Sequence, residues 1–184
     1  MDLISLQNYQ NKTLIQDLLV HPLKVNKDQS GILVETLRKD WEGIYGQGRE
    51  FAMQYYSRTP SGVARDEKVW HYHPTIQEDR FLVVQGDIIT AVADKRPESK
   101  TNGLLNLFYM KAEKPYIVLI PKRTLHGFMV VSQEDAVLLN FPTALYNPQE
   151  EGRVPHEEAG IKTSDGQFFT WDLVRSNSAA PQNL

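Results

Sequence analysis

Between Phe51 and Phe141 the chain breaks into short runs rich in β-branched and aromatic residues, and this segmentation constrains the fold more than any other feature. The runs read FAMQYYS (51–57), VWHYH (69–73), RFLVV (80–84), DIITAVAD (87–94), LLNLFYM (104–110), YIVLI (116–120), HGFMVV (126–131) and AVLLNF (136–141). Their lengths suit strands rather than helices, and the breaks carry proline or glycine, as in TPSG, QGD, KTNG and IPKR. Many short strands in succession predict an all-β barrel or sandwich. LVVQGDIIT predicts a hairpin closed around Gly86, and VETLRKDWEGIYG predicts one short helix after Val34, ended by Gly46.

A chain of 184 residues with 41% hydrophobic content can bury one core, so a single domain is expected over residues 1–174. The remaining RSNSAAPQNL, residues 175–184, has little to bury and is expected to be a mobile tail. Twenty basic against 23 acidic side chains give a net charge of −3, and no segment collects enough Lys or Arg to neutralise a run of phosphates. Nucleic acid is therefore excluded as a partner, while a small phosphorylated ligand is allowed. With no cysteine, any metal must be held by histidine and carboxylate. The opening MDLISLQNYQNKTLIQDLLVHPLKV is interrupted by polar residues before any apolar run reaches signal or membrane length, so a cytoplasmic address is expected.

The run VWHYH places His71 and His73 on one face of a strand and Trp70 and Tyr72 on the other. On the next strand Asp79 shares its face with Phe81, Val83 and Gln85, whereas Glu78 shares its face with Arg80, Leu82 and Val84. Either acid can be the inward one. PKRTLHGF (121–128) then delivers His126 just after a proline-marked strand end. Three imidazoles inside one barrel are costly to desolvate without a task. His71, His73 and His126 with Asp79, or alternatively Glu78, make a ligand set suited to Fe, Mn, Ni, Cu or Zn. His21 and His156 read as packed or surface side chains, and QEEGRVPHEE as solvated loop.

The spacing His-x-His, carboxylate, apolar run and glycine, followed by Pro-x-x-x-x-His, resembles the two cupin motifs. Gly86 lies at the usual distance from Asp79, and Arg123 stands where the second motif has glycine. Over roughly Leu18 to Trp171 the sequence resembles one cupin branch, the dTDP-4-dehydrorhamnose 3,5-epimerases. HPLKVNKDQSGILVETLRKDW looks like that family's opening strand and its D-x-R-G-F-F-x-E segment. MQYYSRTPSGVARDEKVWHYH looks like the strand pair leading to R-G-L-H-F-Q. IPKRTLHGFMVVS is similar to I-P-P-G-F-A-H-G-F-x-V-L-S, and LYNPQEEG stands where the family has Y-Y-x-P-x-x-E-x-G.

The resemblance implies a jelly-roll β-barrel with short peripheral helices. It puts His71 on the catalytic base, Tyr146 on a tyrosine of the sugar pocket and Asn140 on the site of the general-acid tyrosine. Lys68 falls on a diphosphate-binding arginine, with Arg65 and Arg123 as helpers, and His126, Gln54 and Glu35 on substrate-binding positions. The departures are equally specific. His73 replaces a glutamine, Asp79 the active-site lysine, and Ser30 the arginine of R-G-F-F. The C-terminal S-x-K-D segment has no counterpart in DLVRSNSAAPQNL.

These readings imply an isomerase, acting without a cofactor beside the keto group of a dTDP-4-keto-6-deoxyhexose-like sugar nucleotide, and a homodimer that meets neither nucleic acid nor membrane. The alternative is a metal-dependent cupin enzyme that acts on another small molecule through three histidines and one carboxylate. A third reading is a cupin that binds a ligand without catalysis.

Overall fold

The computed structural model describes residues 1–178, and the runs seen in the sequence are its strands. In chain order these are β1 (Leu3–Ile4), β2 (Leu19–Pro22), β3 (Val25–Asp28), β4 (Gly31–Val34), β5 (Tyr55–Thr59), β6 (Ala64–Arg65) and β7 (Val69–Tyr72). They continue with β8 (Asp79–Gln85), β9 (Asp87–Ala93), β10 (Leu105–Lys111), β11 (Tyr116–Ile120), β12 (Leu125–Val130), β13 (Ala136–Asn140) and β14 (Gly152–Pro155). Two short helices follow, α1 (His156–Ala159) and α2 (Trp171–Ser178). Among the described residues, one sheet runs β1-β10-β9-β12-β7-β14 with β6 attached to β12, and the other runs β2-β11-β8-β13-β5. β3 and β4 form a separate hairpin.

The two large sheets pack face to face as a jelly-roll barrel. Ile88, Val92, Phe108 and Phe128 of the first sheet meet Phe81, Val83, Val118 and Leu138 of the second in one apolar cluster. The outer faces are covered as well. Ile89, Ala91 and Met129 lie beneath Phe169, Trp171 and Val174, and Leu82, Ile117 and Leu119 lie beneath Ile44 and Phe141. Burial on both faces explains why DIITAVAD and YIVLI read as nearly continuous apolar runs rather than alternating ones.

Three expectations are corrected. LVVQGDIIT is not a hairpin, because β8 pairs with β11 and β13 while β9 pairs with β10 and β12. Gly86 is instead the corner at which the chain passes from one sheet to the other. It sits at φ 69°, and a Cβ there would lie 2.7 Å from Ser132 Oγ and 3.0 Å from the Ala136 backbone.

The segment after Val34 is a series of isolated turns, not a helix. Val34, Leu37, Trp41 and Ile44 have the spacing of a helical stripe, and all pack on the outer face of the second sheet. Gly43 interrupts the segment in the left-handed conformation at φ 78°, which a continuing right-handed helix cannot contain. Finally, residues 175–178 belong to α2, where Val174 is buried and Arg175 bonds to Glu67 and Asp172, both at 2.7 Å. The rest of the expected tail, 179–184, lies outside the described residues.

Among the described residues no helix is long and apolar enough to cross a membrane.

Candidate active site

Strand pairing brings the histidines together. His71 on β7 and His126 on β12 are cross-strand partners, and His73 follows at the end of β7. The ring centroids are 4.7 Å apart for His71 and His73, 5.1 Å for His71 and His126, and 5.6 Å for His73 and His126. One nitrogen from each ring lies within 4.8 Å of the others.

The opposing sheet supplies the carboxylate. Asp79 Oδ1 accepts hydrogen bonds from Gln77 Nε2 at 3.0 Å and Asn140 Nδ2 at 2.9 Å. Its Oδ2 faces Nε2 of His73 at 3.1 Å and of His126 at 3.2 Å. Glu78 points the other way and is bound by Arg49 at 2.6 Å, so strand alternation selects Asp79 as the inward acid.

The backbone sets the imidazole tautomers. His73 Nδ1 lies 2.8 Å from the Glu150 carbonyl oxygen and His126 Nδ1 lies 3.2 Å from that of Thr124. A carbonyl only accepts, so Nδ1 carries the proton in both rings and Nε2 is turned toward Asp79. An Nε2 lone pair facing a carboxylate oxygen calls for a cation between them, either a proton or a metal ion. Burial alone would lower His73, but the hydrogen bond and charge of Asp79 outweigh it and raise its pKa. Burial likewise opposes ionisation of Asp79, yet the bonds and charges of His126 and His73 hold it well below the carboxylate range.

His71 differs from its neighbours. Burial, reinforced by the His126 and His73 rings, lowers it to about 3, so it is neutral at pH 7. Its Nε2 lies 3.5 Å from Glu151 Oε2, and its Nδ1 is buried without a hydrogen-bond partner. The neutral ring offers a lone pair to a proton, and the Glu151 carboxylate beside Nε2 is the group that would stabilise the imidazolium against the burial that disfavours it.

His71, His126, Asp79 and Glu151 line a cavity of ≈ 170 Å³ between the sheets, whose wall also includes Tyr55, Arg65 and Arg153, while His73 lies buried behind it. Tyr55 is the cross-strand partner of Asn140, and its hydroxyl accepts a hydrogen bond from Asn140 Nδ2 at 2.9 Å. Burial of the hydroxyl end and the charge of Asp79 push this phenol up to about 12, although the Asn140 bond acts in the opposite direction. A larger cavity of ≈ 520 Å³ between Lys12, Asn106 and Lys162 holds no imidazole. Volume alone would favour it, but the smaller cavity holds the chemically unusual groups.

The other residues singled out in the sequence lie elsewhere. Tyr146 is 67% exposed and outside the imidazole cavity, contrary to its expected place beside His71. Lys68 and Gln54 are exposed and do not line it, and exposed Glu35 pairs with Arg38 at 2.7 Å. Arg123 is paired with Glu98 and lines a separate cavity of ≈ 370 Å³ on the Tyr72 side of β7. It adopts the left-handed conformation, φ 63°, that glycine would take in the cupin motif.

Conversely, Tyr55, Gln77, Glu151 and Arg153 were not singled out. Glu151 and Arg153 lie in the QEEGRVPHEE stretch read as solvated loop, where β14 pairs with β7 and carries them to the cavity. The alternation of GRVP was a usable signal; Tyr55 had none without the strand register.

A two-sheet jelly roll with imidazoles and a carboxylate between its sheets is a cupin. A family model described as dTDP-4-dehydrorhamnose 3,5-epimerase matches residues 12–176, and the chain belongs to that family. It is similar to the probable low-salt glycan biosynthesis epimerase Agl13 of Haloferax volcanii, with 39% identity over 146 residues covering 78% of this chain and 89% of that protein. The solved dTDP-6-deoxy-D-glucose-3,5-epimerase of Legionella pneumophila, in complex with dTDP-4-keto-L-rhamnose, matches with a TM-score of 0.69 at 28% identity, covering 77% and 74% of the two chains. The dTDP sugar isomerase of Desulfovibrio desulfuricans has a TM-score of 0.72 at 21% identity over 83% of this chain and 94% of its own, a likeness of fold.

Proposed function

We propose that this protein is a sugar-nucleotide epimerase in which His71 removes a hydrogen from the carbon beside the ketone of a dTDP-4-keto-6-deoxyhexose-like substrate. The observation that carries the reading is the place of the His71 imidazole in the inter-sheet cavity, with the Glu151 carboxylate 3.5 Å from its Nε2, in a chain that belongs to the epimerase family. The ketone acidifies that hydrogen, and the pair of electrons released passes to the carbonyl oxygen as an enolate. Asn140, at the position of the family's general acid, is fully buried and commits its Nδ2 to Tyr55 and Asp79, so its part is to hold those two side chains. Arg65 and Arg153, on the cavity wall, suit the diphosphate of the nucleotide better than the more distant Arg123. Proton transfer of this kind involves no net oxidation, so the reaction itself calls for no cofactor.

The test is NMR of dTDP-4-keto-6-deoxyglucose incubated with the protein in deuterated water. Deuterium uptake beside the ketone and an inverted centre are expected, both lost in His71→Asn while dTDP still raises the melting temperature. Uptake unchanged in the variant would clear His71 of the role.

A second reading of the same cluster is supported by the two Nε2 atoms aimed at Asp79 Oδ2 with their Nδ1 atoms tied to backbone carbonyls. Such carbonyl bonds commonly orient imidazoles toward a metal. His71, His73, His126 and Asp79 would hold a divalent ion, and that ion would polarise a substrate carbonyl. Elemental analysis of protein purified without a histidine tag is expected to find about one ion per chain under this reading, and none in His73→Gln. No bound metal after incubation with Fe, Mn, Ni, Cu and Zn removes it.

The exposed Ile32 (64%) and Leu33 (63%) on the β3–β4 hairpin support a homodimer, which sedimentation measures directly.

A further inference from the structure

Inverting a carbon requires that one proton leave one face of the planar enolate and another arrive at the opposite face. His71 stands on β7 of the first sheet and Tyr55 on β5 of the second, and both line the same cavity. They therefore address a ligand held between the sheets from opposite sides. We propose that Tyr55 is the proton donor of the epimerisation and acts on the face opposite His71. The inference rests on the epimerase reading and adds a catalytic residue to it.

The register between β5 and β13 makes Tyr55 suitable. Asn140 lies directly opposite Tyr55, and its Nδ2 donates to both the Tyr55 hydroxyl and Asp79 Oδ1, each at 2.9 Å. Its Oδ1 in turn accepts from the backbone N–H of Arg80 at 3.0 Å, which fixes which end of the amide faces Tyr55. Because Asn140 donates to it, the phenol oxygen acts there as acceptor, and its own hydrogen is left to point elsewhere, with the cavity the space it faces. Asn140 cannot serve in its place, since an amide donates a hydrogen bond but does not release a proton near neutral pH. Tyr146 is 67% exposed and does not line this cavity, so it does not compete for the role.

The step balances. The carbon–hydrogen bond breaks, its proton goes to the His71 imidazole, and its electrons form the enolate. The carbon then takes the Tyr55 hydroxyl proton from the other face as the carbonyl re-forms, leaving a phenolate that Asn140 stabilises. Water entering the cavity that Tyr55 and His71 both line returns a proton to Tyr55 and accepts the one on His71.

The experiment compares wild type with Tyr55→Phe, using dTDP-4-keto-6-deoxyglucose in deuterated water. Product formation should fall about a hundredfold or more, within the usual range for losing a general acid. His71-dependent deuterium exchange at the starting configuration should persist within about threefold, and the dTDP-induced shift in melting temperature should be unchanged. Product formation within about threefold of wild type overturns the proposal. So does an equal loss of exchange and product, which would make Tyr55 a binding or enolate contact. Should Tyr55→Phe lose the dTDP shift, Tyr55→Asn combined with Asn140→Tyr moves the hydroxyl across the strand pair. Turnover above that of Tyr55→Asn alone supports the donor role, and turnover no higher overturns it. A wild type that shifts with dTDP yet neither exchanges nor epimerises removes the epimerase reading itself, an outcome distinct from every result with the variants.

Discussion

Strand β8 puts Asp79 at its start and Val83 four residues later on the same inner face, and the barrel interior differs accordingly between the two places. Around Val83 the neighbours are Ile88, Phe108, Val118 and Leu138, held by burial that has no directional requirement. Around Asp79 they are His73, Gln77, His126 and Asn140, held by hydrogen bonds that each need a particular partner. The apolar region should respond to a mutation in proportion to the volume removed, whereas the polar region should respond to whichever group is left unpaired. A barrel that needed only stability would continue the first kind of interior to its end; the second kind stands where the proposed site lies.

The largest effect is expected in the apolar region. Phe108→Ala should lower the unfolding free energy by about 3–5 kcal/mol in urea denaturation, with turnover per folded molecule retained. A loss below about 1 kcal/mol would mean that this interior collapses around the gap and that the contrast is overdrawn.

Asp79→Asn should come next, at about 2 kcal/mol. It keeps the shape but removes the charge that faces His73 and His126 and gives one position a donor where two donors already point. Activity should fall with it, because the imidazoles lose their common anchor. Stability equal to wild type would show that the network contributes orientation alone.

The contrast also predicts a pH dependence. His71 titrates at about 3 when folded and near 6.5 when unfolded, so the unfolded chain binds the extra proton across that window. Its contribution is present above pH 6.5 and is lost as pH falls toward 3. Asp79, also depressed, adds a loss in the same direction below its ordinary 3.8. His73 is raised, so its contribution is present below 6.5 and is lost as pH rises through its folded value. Melting temperature should therefore decline on acidification from pH 6.5, and His71→Asn should flatten the upper part of that decline. An unchanged slope in the variant would put the proton elsewhere.

The smallest effect is expected at Tyr146, which lies outside both interiors. Tyr146→Phe should change stability by less than about 0.5 kcal/mol and turnover by less than about twofold. A large fall in turnover would bring Tyr146 back into the site through a movement of its loop.

The strands were legible because the runs from VWHYH to AVLLNF carry β-branched residues between glycine and proline breaks and nearly coincide with strands, whereas of FAMQYYS only residues 55–57 entered β5. The segment from Val34 to Ile44 was misleading, since a helical stripe and a looped segment lying on a sheet expose apolar residues at the same intervals. At Gly86 the residue type announces a sharp turn, but whether that turn closes a hairpin or passes between sheets depends on which strands lie alongside. Histidines 71 and 73 were legible from alternation, and Asp79 only as one of two acids, because the sequence does not state which face of β8 is inward.

By itself, then, the sequence determined the class of fold and, through the resemblance of its motifs, the family with His71 as its candidate base, since alternation, turn chemistry and motif spacing are local properties written into neighbouring residues. Tertiary structure alone decided that Asp79 and not Glu78 anchors the imidazoles, that Arg153 rather than Arg123 reaches the cavity, and that Tyr55 meets Asn140. Tyr55 and Asn140 are far apart along the chain and touch only through the register of β5 on β13. Register is set by the burial of whole strand faces acting together, a collective energy that no short stretch of residues encodes.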